Sequence, residues 1–161
     1  MRKFLLSLLV SLSIAIVPAV GQAATGKAAR ANSERQVLVL LNEIRQQHGL
    51  STFTASATLR NAARFHSADM LQKNYFDHDS PSEAWGARVS RYLKGVTIGE
   101  NIAWGSGSFG TPEGIVSQWM HSAPHRRIIL TPELHRVGLG IAVGTFDGTR
   151  GAVLATADFS A

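Results

Sequence analysis

Val37, Leu40, Leu41 and Ile44 recur at helical spacing behind Ser33 and Gln36, which have the spacing of a capping box, and Gly49 ends the run. The pattern predicts a first helix that opens at Ser33. Leu59, Ala62, Ala63, His66 and Met70 repeat the spacing behind a capping Ser56, which predicts a second helix to about Asn74. The polar stretch 77–81 reads as a turn or loop and 85–93 as a short helix. Thr111 as cap and Pro112 at the first helical position open a further helix, whose Ile115, Val116, Trp119 and Met120 face a core until about Ser122. The β-branched residues of 96–104 predict a strand around Gly99-Glu100-Asn101, followed by a flexible glycine-rich loop at 105–110. Val137, Leu139, Ile141 and Val143 then alternate with small residues, and a second run, 152–159, follows an Asp147-Gly148 turn. This is an antiparallel hairpin. Helices with a few antiparallel strands predict an α+β domain, with helices on both faces of a small sheet.

The first residues follow another pattern. Arg2 and Lys3 precede an apolar run, 4–17, broken only by three serines; Pro18 and small residues come next, with Gly21 and Ala23 suited to positions −3 and −1 of a peptidase site. The expectation is a cleavable export signal, 1–23. A run of 14 residues falls short of the roughly 18 to 20 that a spanning helix needs, so no stable membrane anchor is expected. Residues 24–32 read as a linker and 33–161 as one domain, large enough for a real core and expected to be monomeric.

Composition narrows the class. The chain has no cysteine, which excludes a lipobox and a disulfide framework and favours bacterial export, to the periplasm or the medium. The formal charge of +5 becomes +3 without the signal, and the remaining basic residues are scattered in sequence, so nucleic acid is not an expected partner. No Gly-x-Ser-x-Gly elbow is present, which with the missing cysteine argues against serine or cysteine catalysis.

His78 in a loop, Glu100 in a strand and His125 beyond a helix end are the polar side chains that stand out. Two neutral imidazoles can ligate a divalent metal such as zinc, and a carboxylate can complete the site or act as base on a bound water. The same trio can also hydrogen-bond internally. Glu100, inside a strand, needs a partner.

The segments Asn42-Glu43-Ile44-Arg45, His66-Ser67-Ala68-Asp69-Met70, Tyr75-Phe76-Asp77-His78, Gly99-Glu100-Asn101-Ile102-Ala103, Trp119-Met120, His125-Arg126 and Val137-Gly138-Leu139-Gly140 follow one another over 37–159. In these the chain resembles the CAP superfamily of cysteine-rich secretory proteins, wasp-venom allergens and plant pathogenesis-related proteins, and is most similar to its cysteine-free bacterial branch. The resemblance implies an α-β-α sandwich with a central antiparallel sheet and a cleft bearing two histidines and two acids. It assigns His78 and His125 to the histidines and Glu100 to one acid. Where the family has its other glutamate this chain has Ser122; His121 and Asp77 are the nearest stand-ins along the chain. His121 suits the dipole of a helix end and Asp77 a turn. His66, on an apolar helix face, reads as a hydrogen-bonded core histidine that could also line the cleft floor.

Three functions follow as expectations. The first is an exported binding module whose cleft takes a divalent metal, a lipid or peptide, or another envelope component. The second is a metal-dependent hydrolase of peptide or envelope polymer, with His78 and His125 as ligands and Glu100 as base. The third is a structural or signalling surface in which the trio is a stabilising network.

Overall fold

The computed structural model describes residues 20–91 and 98–161. The apolar run and Pro18 of the expected export signal lie outside the described residues. The elements are α1 (Val20–Gln47), β1 (Thr54–Ala55), α2 (Ala57–Lys73), α3 (Trp85–Ser90), β2 (Ile98–Gly105), α4 (Pro112–His121), α5 (Ala123–Ile129), β3 (Arg136–Phe146) and β4 (Thr149–Ser160).

α2 follows the sequence pattern closely. The Ser56 hydroxyl accepts from Leu59 N–H at 3.3 Å, and Asn74 ends the helix in the left-handed region. α1 does not. It continues through Ser33 from Val20, and the Ser33 hydroxyl donates to the Ala29 carbonyl at 3.2 Å, one turn back, so it caps nothing. The stretch 24–32, expected as linker, is therefore helical. Gly49 does close α1, with φ +70° and the Leu50 N–H on the Arg45 carbonyl.

The sheet order is β1-β3-β4-β2. β4 is antiparallel to both β2 and β3, while β1, too short to leave a hydrophobic period, runs parallel to β3. Alternation then sorts the side chains. Val137, Leu139, Ile141, Ala155, Ala157 and Phe159 join Val37 and Leu41 of α1, Trp119 of α4 and Ile129 of α5 in the larger core. On the other face Ile102, Leu154 and Phe146 pack with Met70 of α2. The result is the expected three-layer α-β-α arrangement, with α2 closing one face.

α2 approaches β3 so closely that an added Cβ would lie 2.0 Å from Arg60 N at Gly138 and 2.2 Å from the Ala63 carbonyl carbon at Gly140. The Ser67 hydroxyl uses the approach, donating to Gly140 O at 2.9 Å. Two local expectations need correcting. Within the loop at 105–110, Gly107–Gly110 forms a 3-10 turn. His125 lies not beyond a helix but in α5, which restarts after Ser122 because Pro124 suits a first helical turn.

Candidate functional site

β2 carries Glu100 toward the α2 side of the sheet, opposite Asp158 of β4 in the antiparallel register. The Glu100 side chain is 1% exposed. Oε1 accepts from His78 Nδ1 at 2.8 Å and Oε2 pairs with the guanidinium of buried Arg88 from α3. Arg88 Nη1 donates to His66 Nδ1 at 2.7 Å and to the His78 carbonyl at 3.0 Å. Arg88 thus joins α2, the 77–81 loop and β2 through one side chain.

These partners assign the tautomers. An arginine only donates, so His66 Nδ1 is an acceptor and the proton sits on Nε2, which donates to the Asp77 carbonyl at 3.0 Å. Burial, with the Arg88 charge adding to it, lowers the His66 pKa to about 4. His66 is a neutral core histidine with both nitrogens occupied. At His78, Nδ1–H donates to Glu100, which leaves Nε2 to meet a ligand. Its pKa is raised, chiefly by that hydrogen bond. His125 is lowered, by burial and then by the neighbouring His78, and its Nδ1 is buried without a partner. The Asn101 side chain steadies α5 by donating to the His125 carbonyl at 3.1 Å.

His78 and Glu100 open on a cleft of about 440 Å³ whose walls include Trp85, Ile98, Ile128, Leu134 and Thr131, with Asp77 and Asp79 also lining it. Of the other expected residues, Asp77 is a turn former, its carboxylate accepting from Asp79 N–H at 3.0 Å. His121 lines a different groove, with Phe109 and Gln118, and its Nδ1 donates to the Ser117 carbonyl at 2.8 Å. Ser122 joins α4 to α5 and its hydroxyl makes no capping bond.

The metal arrangement implied by the resemblance does not fit these residues. Among the described residues no three histidine, aspartate or glutamate side chains are grouped to hold an ion. Glu100 has each oxygen committed to a protein donor, and Ser122 brings no charge in place of the missing acid.

Arg88 and Asp158 were not legible as site residues. Asp158 is 1% exposed, and among the described residues neither of its oxygens has a donor within good hydrogen-bond geometry, the Trp85 indole and Glu100 being its nearest polar neighbours. Burial and the adjacent Glu100 charge push its pKa well above the ordinary carboxyl range, so the protonated form is favoured. The available signal was an aspartate at a strand position flanked by Ala157 and Phe159.

Comparison with known proteins gives a consistent set. A family model described as CAP, the cysteine-rich secretory protein family, matches residues 38–159. The uncharacterized protein YkwD of Bacillus subtilis is 41% identical over 109 residues, 66% of this chain and 41% of that protein. The uncharacterized membrane protein YlbC of the same organism is 32% identical over 119 residues, 71% of this chain and 33% of that protein. The chain thus spans less than half the length of these curated relatives. Among solved structures, an extracellular SCP-domain protein of Bacillus anthracis superposes with a TM-score of 0.68 at 29% identity, over 92% of this chain and 45% of that one. An outer surface protein of Borrelia burgdorferi gives 0.68 at 15% identity, over 80% and 92%, a likeness of fold alone.

Proposed function

The chain belongs to the CAP family of cysteine-rich secretory proteins, and on that premise we propose that it is an exported binding module whose cleft takes an envelope lipid or peptide without turning it over. The observation that carries the reading is the state of Glu100. With one oxygen on Arg88 and the other on His78, it is a positioning group that aims an imidazole, not a base waiting for a proton. His78 Nε2 then offers one polar anchor above walls of Trp85, Ile98, Ile128 and Leu134. A few placed polar groups over an apolar lining are the usual makeup of a ligand pocket. The hydrolase reading asks Glu100 for a free oxygen, and the metal reading asks for a third ligand; both lack support in this geometry. Export draws support from the signal-like first residues and from the similar Bacillus anthracis SCP-domain protein, which is described as extracellular.

Trp85 supplies the test. Envelope lipid extract and peptidoglycan stem peptides are titrated against the protein while tryptophan fluorescence is read, with Trp85→Phe to identify the signal. Saturable quenching that His78→Ala weakens about tenfold or more supports the pocket, such a loss being about 1.4 kcal/mol. No saturation with either class, or equal binding by His78→Ala, overturns it. Zinc calorimetry is expected to show no binding tighter than about 1 μM, and tighter binding lost in His78→Ala and His125→Ala would restore the metal reading.

A further inference from the structure

A second concave surface, away from the His78 cleft, is strongly basic. It runs beside the N-terminal half of α1, between that helix, α2 and β3, as two cavities of about 370 and 340 Å³ that share Glu34 and Arg64. Lys27, Arg30 and Arg35 line it from α1, and Arg60 and Arg64 from α2. The helical period explains the convergence. Residues 27, 30, 34 and 38 share one side of α1, while 60, 64 and 68 share one side of α2.

The groove's one carboxylate is already committed. Glu34, 5% exposed, meets the Arg64 guanidinium as a fork at 2.8 and 2.5 Å and accepts from Ile141 N–H at 3.3 Å. Lys27, Arg30, Arg35 and Arg60 are exposed, and among the described residues none of them is ion-paired to a carboxylate. Four uncompensated cations remain on the two walls. Three of them are spread over about 12 Å along α1, from the helical rise, and Arg60 stands on the α2 wall.

We propose that this groove binds a linear polyanion, a flexible chain carrying phosphate or carboxylate charges a few ångströms apart. The spread of the cations argues against a single small anion, which could engage one end only. The concavity argues against a flat bilayer, which would touch the rims and leave the trough unfilled. A chain laid along the groove meets both walls, and releasing its counterions supplies the affinity. The scattered basic residues of the linear sequence are gathered by the fold.

The test measures binding of inorganic polyphosphate and, separately, of polyglutamate to the purified protein across a salt series. The expected result is affinity for at least one chain that falls steeply with salt, by about a hundredfold between 50 and 200 mM for three to five contacts. Arg30→Gln with Arg60→Gln, one from each wall, should lose at least about tenfold and flatten the salt dependence. The charge-matched pair Arg127→Gln with Arg150→Gln should change less than about twofold. Polyphosphate alone or polyglutamate alone names the charged group. Equal losses in both pairs, salt-independent binding, no binding, or preference for anionic phosphatidylglycerol vesicles over both soluble chains would overturn the proposal. Unaltered thermal unfolding of both pairs keeps a folding defect from imitating the loss.

Discussion

At the scale of single residues, the site is a problem in where protons sit. Arg88 is the one permanent cation among two carboxyls and two imidazoles; it pairs with Glu100, while burial drives Asp158 and His66 toward their neutral forms. His66, lowered to about 4, must stay unprotonated in the fold although the unfolded chain protonates near 6.5. Its contribution is therefore lost as pH falls from about 6.5 to 4, by about 3 kcal/mol over that window. Asp158, raised, acts the other way: the native state holds a proton that the unfolded chain releases above about 3.9, so its contribution is lost as pH rises. His78, also raised, contributes stability below about 6.5 that is lost as pH climbs through its folded value. Asp158→Asn separates these effects. The neutral amide should stabilise the protein at pH 8 by about 1 to 3 kcal/mol, the range for relieving a poorly partnered buried group. It should also steepen the loss between pH 6 and 4, where His66 then acts unopposed. Denaturant unfolding at pH 4.5, 6 and 8 measures both. Less stability than wild type at pH 8 would mean that Asp158 is ionised and held. Histidine NMR gives an independent reading, with His66 expected not to titrate above pH 5 while His78 titrates above 6.5.

At the scale of elements, the pattern was most readable where caps and periodicity agreed, as in α2, where Ser56 and Asn74 bound a run of Leu59, Ala62, Ala63, His66 and Met70. It misled at α1 because a capping box is a local signal, and Ser33 satisfies its hydroxyl inside a helix that began earlier. It was silent at β1, which pairs only Thr54 and Ala55, and at the register that sets Glu100 beside Asp158. That juxtaposition comes from β4 lying between β2 and β3, a matter of topology with no trace in spacing. His78 and Glu100 were legible from residue type and family likeness, whereas Arg88 sits on a six-residue helix too short to show a buried face. The glycines of β3 are the clearest link between sequence and layer packing. In strand 136–146 they looked like mere alternation with apolar residues, yet Gly138 and Gly140 admit the backbone of α2. Gly140→Ala should push α2 off the sheet or fail to fold, with a cost of about 3 kcal/mol or more if it folds, at the upper end for overpacking. Gly148→Ala, with φ +75° but open space around it, should cost about 1 kcal/mol from backbone strain alone. Equal costs in thermal unfolding would show that α2 can yield.

For the molecule as a whole, the large apolar core and the cleft meet at Arg45, a fully buried cation that is ion-paired to no carboxylate among the described residues. Its guanidinium donates to the carbonyls of Ser51 at 2.6 Å, Ile129 at 2.8 Å, Thr131 at 3.0 Å and Leu134 at 3.1 Å, and lies 4.0 Å from the Phe53 ring centre. Burial lowers its pKa, and those oriented carbonyl dipoles compensate the charge in place of an ion partner. Three of the carbonyls belong to the end of α5 and the connection into β3, which also gives the cleft its Thr131 and Leu134 walls. One side chain on α1 therefore sets the shape of a cleft wall built by residues 84 to 89 positions away. Lysine at this position keeps the charge but is a point donor on a flexible stem, unable to reproduce the planar fork. Arg45→Lys should lose about 3 kcal/mol or more, since carbonyls buried around a fork are left unsatisfied. The loss should be uneven. Amide exchange at 129–135 should accelerate far more than at the β3–β4 ladder, because the ladder keeps its own hydrogen bonds while the connection loses its tie. Ligand affinity in the His78 cleft should fall along with that protection, although Arg45 lines no part of it. Uniform acceleration through the sheet would instead make Arg45 a general support of the core, and the cleft wall would then owe its shape to Ile128 and Leu134 packing alone.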